Sequence, residues 1–283
     1  MKLKIAVVQF KIVHLQPEKN LKRIEGFIKK AKSKKAQVVV FPEDCLTGSI
    51  EKKLTGTGDG YKNWLDGSQK SKKAFQKLAK KYKIDVVVGS VMEKVKSRPY
   101  NTSYYINAKG RILGTYHKNH LYKSERGMLK PGSKIPVFKT AWGKAGIIIC
   151  WDIMYPEIFR RLVKEGVEII YCPSYWWRDI SEATDKYNHK EQERLIDALC
   201  ITRATETDSV FVYVNAAGTI HYKNSPKDIL IGHSQITMPV LETVKKLNHN
   251  REKMFVQEVD LGLLKKAEKV YESRENLLSR KRK

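Results

Sequence analysis

Short apolar runs alternate along the chain with segments whose apolar residues recur every three or four positions, and this alternation limits the possible folds more than any other feature. Residues 5–10 and 38–41 are apolar and rich in β-branched side chains, which predicts strands. Residues 17–35 lie between them and place Leu21 and Ile24 on one helical face. Chains that alternate in this way form sheets covered by helices, so an α/β protein is predicted.

The alternation continues to the end of the chain. Further helices are predicted at 68–83, 155–165 and 184–207, and further strands at 84–91, 102–107, 111–116, 146–150, 167–171, 210–215, 219–222, 233–238 and 253–259. Two of these strands are joined by Ala108-Lys109-Gly110 and predict a β-hairpin. No linker rich in proline, glycine or serine divides the 283 residues. One domain is therefore predicted over 1–272, followed by a basic C-terminal tail over 273–283.

The charge balance is unusual, with 55 Lys and Arg against 30 Asp and Glu and a net charge of +25. An excess of this size can mark a nucleic-acid surface, so a non-catalytic nucleic-acid-binding protein is one hypothesis. No nucleic-acid motif accompanies the charge, and many lysines fall on the outer faces of the predicted helices. We therefore favour a solvated basic surface and do not expect nucleic acid as a partner.

Two patterns bear on the cellular setting. No apolar run reaches about 18 residues, and the first strand is too short for a signal peptide, so neither a membrane span nor export is expected. The four cysteines, at 45, 150, 172 and 200, have neither metal-ligand spacing nor the density of a disulfide framework. We expect a cytoplasmic protein with reduced thiols and no metal site, in which one thiol can be chemically active.

Reactive groups stand at the ends of predicted strands or in the loops that follow, where α/β folds place their sites. Glu43 follows the strand 38–41, where partial burial raises the pKa of a carboxyl group toward that of a general base. Lys118 follows the strand 111–116 and could turn its ammonium group toward a developing oxyanion. Glu125 lies seven residues further along. Taken singly, each could also be a helix cap, an exposed lysine or part of a surface salt bridge.

Cys150 ends the predicted strand 146–150 and precedes a predicted helix. A thiol at such a turn is presented as in a nucleophile elbow, and nearby backbone N–H groups can stabilise a thiolate and an oxyanion. A buried structural cysteine is the alternative. Cys45 follows a loop that contains a proline, and Cys200 lies within a predicted helix. Cys172 precedes a proline at a strand end, where it could line a pocket.

Together and in this order, these segments resemble the nitrilase superfamily of carbon–nitrogen hydrolases over nearly the whole chain. The matching stretches are Phe41-Pro42-Glu43 with Leu46-Thr47-Gly48, His117-Lys118-Asn119-His120-Leu121 with Pro131-Gly132, Cys150-Trp151-Asp152 with Tyr155-Pro156-Glu157, Pro173-Ser174-Tyr175-Trp176, Arg203-Ala204-Thr205-Glu206, Asn215-Ala216-Ala217-Gly218 and Gly232-His233-Ser234. The resemblance implies a four-layer αββα sandwich, in which helices flank two mixed β-sheets of a single domain. It also implies a homodimer or higher homo-oligomer, with the helix after the cysteine and the 184–207 helix at the dimer face.

The resemblance further implies roles for the site residues. Cys150 would attack the substrate carbon, Glu43 would act as general base, and Lys118 would stabilise the tetrahedral intermediate together with the Trp151 N–H. Glu125 matches the position of the family's second glutamate and would orient Lys118 or the substrate. Ammonia or an amine would leave from a thioester on Cys150, which water would then hydrolyse. Neither a metal nor an organic cofactor takes part in this scheme.

The reaction and the substrate are less constrained. The resemblance favours an amidase that releases ammonia and a carboxylic acid, with a nitrilase or an N-carbamoyl amidohydrolase on the same site as alternatives, and an acyl transferase as a further one. Some relatives that act on carboxylate-bearing substrates place an arginine shortly after the cysteine, whereas Ile153 and Met154 stand there. Arg178 could supply a more distant clamp. The expected substrate-binding residues are aromatic, namely Trp151, Tyr175 and Trp176. They predict a small neutral amide with an aliphatic or aromatic group.

Overall fold

The computed structural model describes residues 1–50, 70–178, 187–222 and 225–279, together with Lys62 and Leu65, and the side chains of 222–228 lie outside this description. The strands in these ranges are β1 (Lys2–Gln9), β2 (Val38–Val40), β3 (Asp85–Val95), β4 (Arg98–Ile106), β5 (Ile112–His117), β6 (Val137–Thr140), β7 (Gly143–Ile147), β8 (Ile169–Ser174), β9 (Val210–Asn215), β10 (Thr219–Tyr222), β11 (Ser225–Ile229), β12 (Gln235–Met238), β13 (Glu242–Lys246) and β14 (Lys253–Asp260). The helices are α1 (Pro17–Ser33), α2 (Lys70–Tyr82), α3 (Pro156–Lys164), α4 (Glu191–Glu206), α5 (Gly262–Tyr271) and α6 (Ser273–Ser279), with 3-10 helices at Lys123–Glu125 and Cys150–Met154.

Two mixed sheets form the body of the protein. In the described residues the first has the strand order β14-β1-β2-β3-β4-β5 and the second β13-β12-β9-β8-β7-β6, while β10 and β11 form a separate hairpin. Each sheet contains three adjacent parallel strands, β1-β2-β3 in one and β7-β8-β9 in the other. Antiparallel strands flank these on both sides. The carboxyl ends of the parallel strands therefore meet at one edge of each sheet, where α/β folds place their sites.

Both faces of the first sheet are buried, as the alternation of side chains along β1 shows. Leu3, Ile5 and Val7 pack into the core between the two sheets, while Ala6 and Val8 pack into the core beneath α1 and α2. On the other side, α3 and α4 bury their apolar faces on the second sheet. The layers therefore run helix, sheet, sheet, helix, and the predicted αββα sandwich is confirmed.

In the second sheet, the structure differs from the prediction at Cys150. The strand predicted over 146–150 ends at Ile147, and Cys150 begins the 3-10 helix Cys150–Met154. Cys150 has a φ of +48°, a conformation that cannot continue a strand. The predicted strand end at this residue is therefore wrong, and the thiol stands on a turn beyond the strand.

The helix ends also differ from the prediction. The helix predicted over 184–207 begins at Glu191, and the predicted positions 68–69 and 184–186 lie outside the described residues. Within the segment assigned to a basic tail, Ser273–Ser279 is helical, and Arg274 donates hydrogen bonds of 3.0 Å to the carbonyl oxygens of Thr207 and Asp208. Residues 280–283 of that tail lie outside the described residues. Among the described helices, none has the length and apolar character needed to cross a bilayer.

Candidate active site

Glu43 lies in the loop after β2 with only 3% of its surface exposed. Its Oε1 accepts hydrogen bonds from Lys118 Nζ and from Asn101 Nδ2, both at 2.8 Å. Its Oε2 accepts the backbone N–H of Tyr175 at 2.9 Å, and the Cys150 thiol is a further hydrogen-bond partner of the carboxylate. A buried carboxylate in contact with a thiol and an ammonium group is placed to move a proton.

The position of this loop depends on Gly89 in β3. A Cβ at Gly89 would lie 1.7 Å from the carbonyl oxygen of Pro42, the residue before Glu43. Such a contact is impossible, so any other residue at position 89 would push the loop away. Glycine is therefore required here for the close approach of two backbones.

Lys118 follows β5 directly and is 2% exposed. Its Nζ lies 2.8 Å from Glu43 Oε1 and 2.7 Å from Glu125 Oε2. Glu125 ends the 3-10 helix Lys123–Glu125, where its Oε2 also accepts the backbone N–H of Tyr122 at 2.7 Å. Lys118 is thus a buried cation that bridges two carboxylates, unlike the solvated lysines that dominate the composition.

Cys150 is held in its strained turn by residues from two neighbouring elements. Asp152, fully buried, accepts the Ile149 N–H at 3.0 Å from within the turn and the Tyr116 hydroxyl at 2.8 Å from β5. Its other oxygen accepts the backbone N–H of His120 at 2.8 Å. The carboxylate of Asp152 therefore ties the turn that carries the thiol to both sides of Lys118.

The far end of the same turn is fixed by α4. Arg203 Nε donates to the carbonyl oxygen of Ile153 at 3.0 Å, and Arg203 is itself held by Glu206 at 2.7 Å. These are the arginine and the glutamate of the segment 203–206 singled out in the sequence. Their contacts link that segment to the turn that bears Cys150, which lies fifty residues earlier.

The strand end after β8 is positioned by the remaining sequence motifs. Asn215 Oδ1 accepts the Trp176 N–H at 2.7 Å, and Asn215 Nδ2 donates to the Trp176 carbonyl oxygen at 3.0 Å. The Ser234 hydroxyl in turn accepts the Asn215 N–H at 2.9 Å. These contacts set the backbone that presents the Tyr175 N–H to Glu43.

Burial governs the proton affinities in this cluster. Burial raises the pKa of Glu43 above its ordinary value, against the pull of the Lys118 charge and with the support of the Glu125 charge. Burial lowers the pKa of Lys118. The negative charges of Glu125 and Glu43 raise it more strongly, so the pKa of the lysine lies well above its usual range. Burial and then the charge of Glu43 raise the pKa of Cys150 well above that of a free thiol. This environment favours the neutral thiol form of Cys150.

A cavity of about 360 Å³ lies over the cluster. Its lining includes Glu43, Lys118, Glu125, Cys150, Tyr122, Trp151, Tyr175, Trp176, Trp177, Met92, Met128, Met154, Leu129, Leu195, Lys123 and Glu191. Tyr122 packs edge-on against Trp151 and against Trp177, each with ring centroids 5.1 Å apart. The thiol, the carboxylates and the ammonium group thus form one reactive part of a largely apolar and aromatic cavity.

The structure brings together all the residues that the sequence singled out, with two qualifications. Glu43, Lys118, Glu125 and Cys150 form one cluster, and the three expected substrate-binding rings line the cavity. Cys172 is fully buried on the helix-covered face of the second sheet, near Cys200, and does not line the cavity, so that suggestion is wrong. Arg178 pairs with Glu193 and is likewise absent from the described cavity lining.

Asn101 and Asp152 are the structural partners that sequence reasoning missed. Asn101 Nδ2 contacts both Glu43, at 2.8 Å, and Glu125, at 3.0 Å, from the middle of the first sheet. The available signal was an asparagine inside a strand, a position at which asparagine is depleted. For Asp152 it was a carboxylate two residues after the predicted nucleophile.

The αββα sandwich places a buried thiol, two carboxylates and an ammonium group under one cavity, an arrangement typical of an enzyme. Comparison with known proteins identifies the class. A model of the carbon-nitrogen hydrolase family matches residues 4–269. The 2-oxoglutaramate amidase of Bacillus subtilis is 30% identical over 84% of this chain and 84% of its own. A probable nitrilase of Schizosaccharomyces pombe is 29% identical over 96% and 93%.

The folds agree as well. The crystal structure of a carbon-nitrogen hydrolase from Helicobacter pylori G27 superposes with a TM-score of 0.85, at 21% identity, over 100% of this chain and 96% of that one. The protein is thus a hydrolase of carbon–nitrogen bonds other than peptide bonds. The chain belongs to the carbon-nitrogen hydrolase family, which is the nitrilase superfamily.

Proposed function

We propose that the protein is an amidase that forms a thioester on Cys150 and releases ammonia and a carboxylic acid. The observation that carries the proposal is the contact of a neutral, buried thiol with the carboxylate of Glu43, whose own affinity for protons is raised. A neutral thiol becomes a nucleophile only if an adjacent base accepts its proton during the attack. Glu43 is that base in our proposal.

In the acylation step, Cys150 Sγ bonds to the amide carbon while its proton passes to Glu43. The carbonyl oxygen becomes an oxyanion that Lys118 Nζ and the Trp151 N–H stabilise. The C–N bond then breaks, and Glu43 returns the proton to the departing nitrogen. Glu125 holds the ammonium group of Lys118, at 2.7 Å, throughout.

In the deacylation step, water attacks the thioester carbon and gives a proton to Glu43. The C–S bond breaks, Sγ recovers the proton, and the carboxylic acid leaves. Each proton that Glu43 accepts is returned in the same half-reaction, so one carboxylate serves as base and as acid in both.

We propose a small neutral amide with an aliphatic or aromatic group as the substrate. The support is the cavity lining, in which Trp151, Tyr175 and Trp176 stand beside apolar side chains, and in which the described residues include no arginine. A nitrile or an N-carbamoyl compound could be attacked by the same thiol, and these remain the alternatives on this site. A preference for dicarboxylate monoamides would contradict the neutral substrate. It would indicate that Lys123, at the exposed part of the lining, binds the second carboxylate.

A panel of amides, nitriles and N-carbamoyl compounds tests the proposal, with ammonia release measured for wild type, Cys150→Ala and Cys172→Ala. Cys172 is the matched control, because it is a buried thiol on the neighbouring strand end that does not line the cavity. We expect turnover of neutral amides by wild type and by Cys172→Ala, and none by Cys150→Ala. Intact-mass spectrometry should show the acyl group on Cys150, and an acyl group trapped on another cysteine would refute the assignment.

We further propose that the protein works as a homodimer or higher homo-oligomer in the cytoplasm. The support is the resemblance of the chain to its family, together with four cysteines that are all free thiols. Analytical ultracentrifugation over a range of concentrations tests the assembly, and a monomer at every concentration would contradict it.

If wild type released no ammonia from any compound but bound RNA or DNA in a salt-dependent manner, the nucleic-acid alternative would replace the amidase.

A further inference from the structure

Asn101 stands at the centre of the buried cluster although no step of the proposed reaction uses it. It is fully buried in β4, between β3 and β5. Its Nδ2 donates one hydrogen bond to Glu43 Oε1 at 2.8 Å and the other to Glu125 Oε1 at 3.0 Å. Its main-chain carbonyl oxygen accepts the backbone N–H of Lys118 at 2.9 Å. One residue therefore contacts both carboxylates and the backbone of the lysine between them.

The chemistry of the amide group suits this position. Two buried carboxylates repel each other, and Lys118 supplies only one positive charge to balance them. An asparagine side chain can donate two hydrogen bonds to two acceptors without adding a charge. A serine or threonine donates one, a lysine would add a charge, and an aspartate would add a third carboxylate. The amide thus stabilises the ionised form of both glutamates.

The side-chain oxygen of Asn101 indicates that this residue is present for its two N–H donors. Asn101 Oδ1 is buried and has no hydrogen-bond partner among the described residues. Burying a polar atom in this way lowers the stability of the fold, and an apolar side chain would avoid the penalty. Residues that break a local rule of packing in this manner concentrate at functional sites.

We infer that Asn101 is a positioning residue that keeps Glu43 ionised, and so available as the base, while holding Glu125 on Lys118. This inference rests on the proposed function, because it assigns Asn101 to the control of that base. The charged and titratable groups that interact with Glu43 are Lys118, Glu125 and the Cys150 thiol, with the Cys172 thiol as a weaker contributor. The amide of Asn101 does not titrate, and its two hydrogen bonds act on the charge balance between Glu43 and Glu125.

The test is the pH dependence of kcat/KM for Asn101→Ser and Asn101→Asp. Activity requires ionised Glu43, so it is lost as the pH falls through the pKa of that group. Loss of a hydrogen bond to the charged carboxylate raises that pKa, and the acid limb should move upward by about one to two pH units. Asn101→Asp is isosteric and should fold, and it should move the limb in the same direction, because an additional proton must leave the cluster before Glu43 is free.

Asn20→Ser is the matched control. Asn20 is also fully buried and donates from Nδ2 to the carbonyl oxygens of Val13 and Leu46, both at 2.7 Å. This variant should melt at a lower temperature with an unmoved acid limb. Equal losses of activity at every pH in both Asn101 variants, with the limb where wild type has it, would overturn the inference and leave only a structural role.

A substrate-free readout separates this inference from the proposed function. The rate of alkylation of Cys150 by iodoacetamide, read by intact mass, also depends on ionised Glu43 as the acceptor of the thiol proton. We expect its acid limb to move with that of kcat/KM in the Asn101 variants, and an unmoved limb counts against Asn101. A wild type that hydrolyses no amide would refute the proposed function while the alkylation profile still decides the role of Asn101.

Discussion

Replacement of Glu43 by glutamine should have opposite effects on turnover and on the acidity of the Cys150 thiol. Turnover should fall by about 10²- to 10⁴-fold, the usual contribution of a general acid–base group, because neither the thiol nor the attacking water would have an acceptor for its proton. The thiol itself should become more acidic, because the charge of Glu43 and its hydrogen bond to the thiol both raise the pKa of Cys150. The variant would thus carry more thiolate and turn over less substrate.

The size of the second effect follows from the contact between the two groups. Unit charges about 4 Å apart interact by roughly 4 kcal/mol at an effective dielectric constant near 20, which corresponds to about three pKa units. Lys118 screens part of this interaction, so we expect the pKa of Cys150 to fall by about one to three units in Glu43→Gln.

Two assays measure these effects on the same preparation. Steady-state ammonia release gives turnover, and the pH dependence of the ultraviolet absorbance of the thiolate, with Cys150→Ala subtracted, gives the acidity of the thiol. Full turnover in Glu43→Gln would remove the base role from Glu43. A thiol that became less acidic would refute the electrostatic reasoning even if turnover were lost.

Three further predictions follow from the site. First, the acid limb of the wild-type kcat/KM profile should lie above pH 4.5, the ordinary value for a glutamate, because burial raises the pKa of Glu43 and protonation of the base abolishes activity; a limb at or below that pH would contradict this. Second, Asp152→Asn should lower stability by about 1.5–3 kcal/mol in urea unfolding, since it weakens charge-assisted hydrogen bonds to the turn that bears Cys150, and it should lower kcat more than it raises KM. Third, Trp176→Ala should raise KM for aromatic amides by about tenfold or more while acetamide is affected less, since the ring lines the cavity and an aromatic acyl group has more surface to pack against it; equal effects on both amides would argue against a contact with the acyl group.

Much of the site could be predicted because it lies where strand patterns end. Val38, Val39 and Val40 are all fully buried and form a strand that any apolar-run criterion detects, and Glu43 follows it. The same holds for Lys118 after β5. Strand ends in parallel sheets converge, so residues distant in sequence could be expected to meet, and the sequence motifs supplied their identities.

The turn at Cys150 and the partners of the cluster could not be predicted in the same way. The sequence Ile147-Ile148-Ile149-Cys150 continues the apolar run without a break, yet the strand ends at Ile147 and Cys150 adopts a positive φ in a turn that contacts from Asp152 and Arg203 hold in place. Asn101 contacts residues 58 and 24 positions away, which no local pattern encodes. The contacts of Asp152 to Tyr116 and His120 are similarly long in sequence and depend on how the two sheets face each other.

The charges of the cluster explain why these partners matter for the proposed reaction. At rest the buried groups carry two negative charges, on Glu43 and Glu125, and one positive charge on Lys118. When the thiol proton passes to Glu43, one negative charge moves to Sγ and then to the oxyanion, and the total is unchanged. The charge remains beside the Lys118 ammonium group throughout, so little reorganisation of the buried surroundings is required. Such a transfer is favourable only if the resting charge on Glu43 is itself stabilised, and that is the contribution we assign to the neutral amide of Asn101.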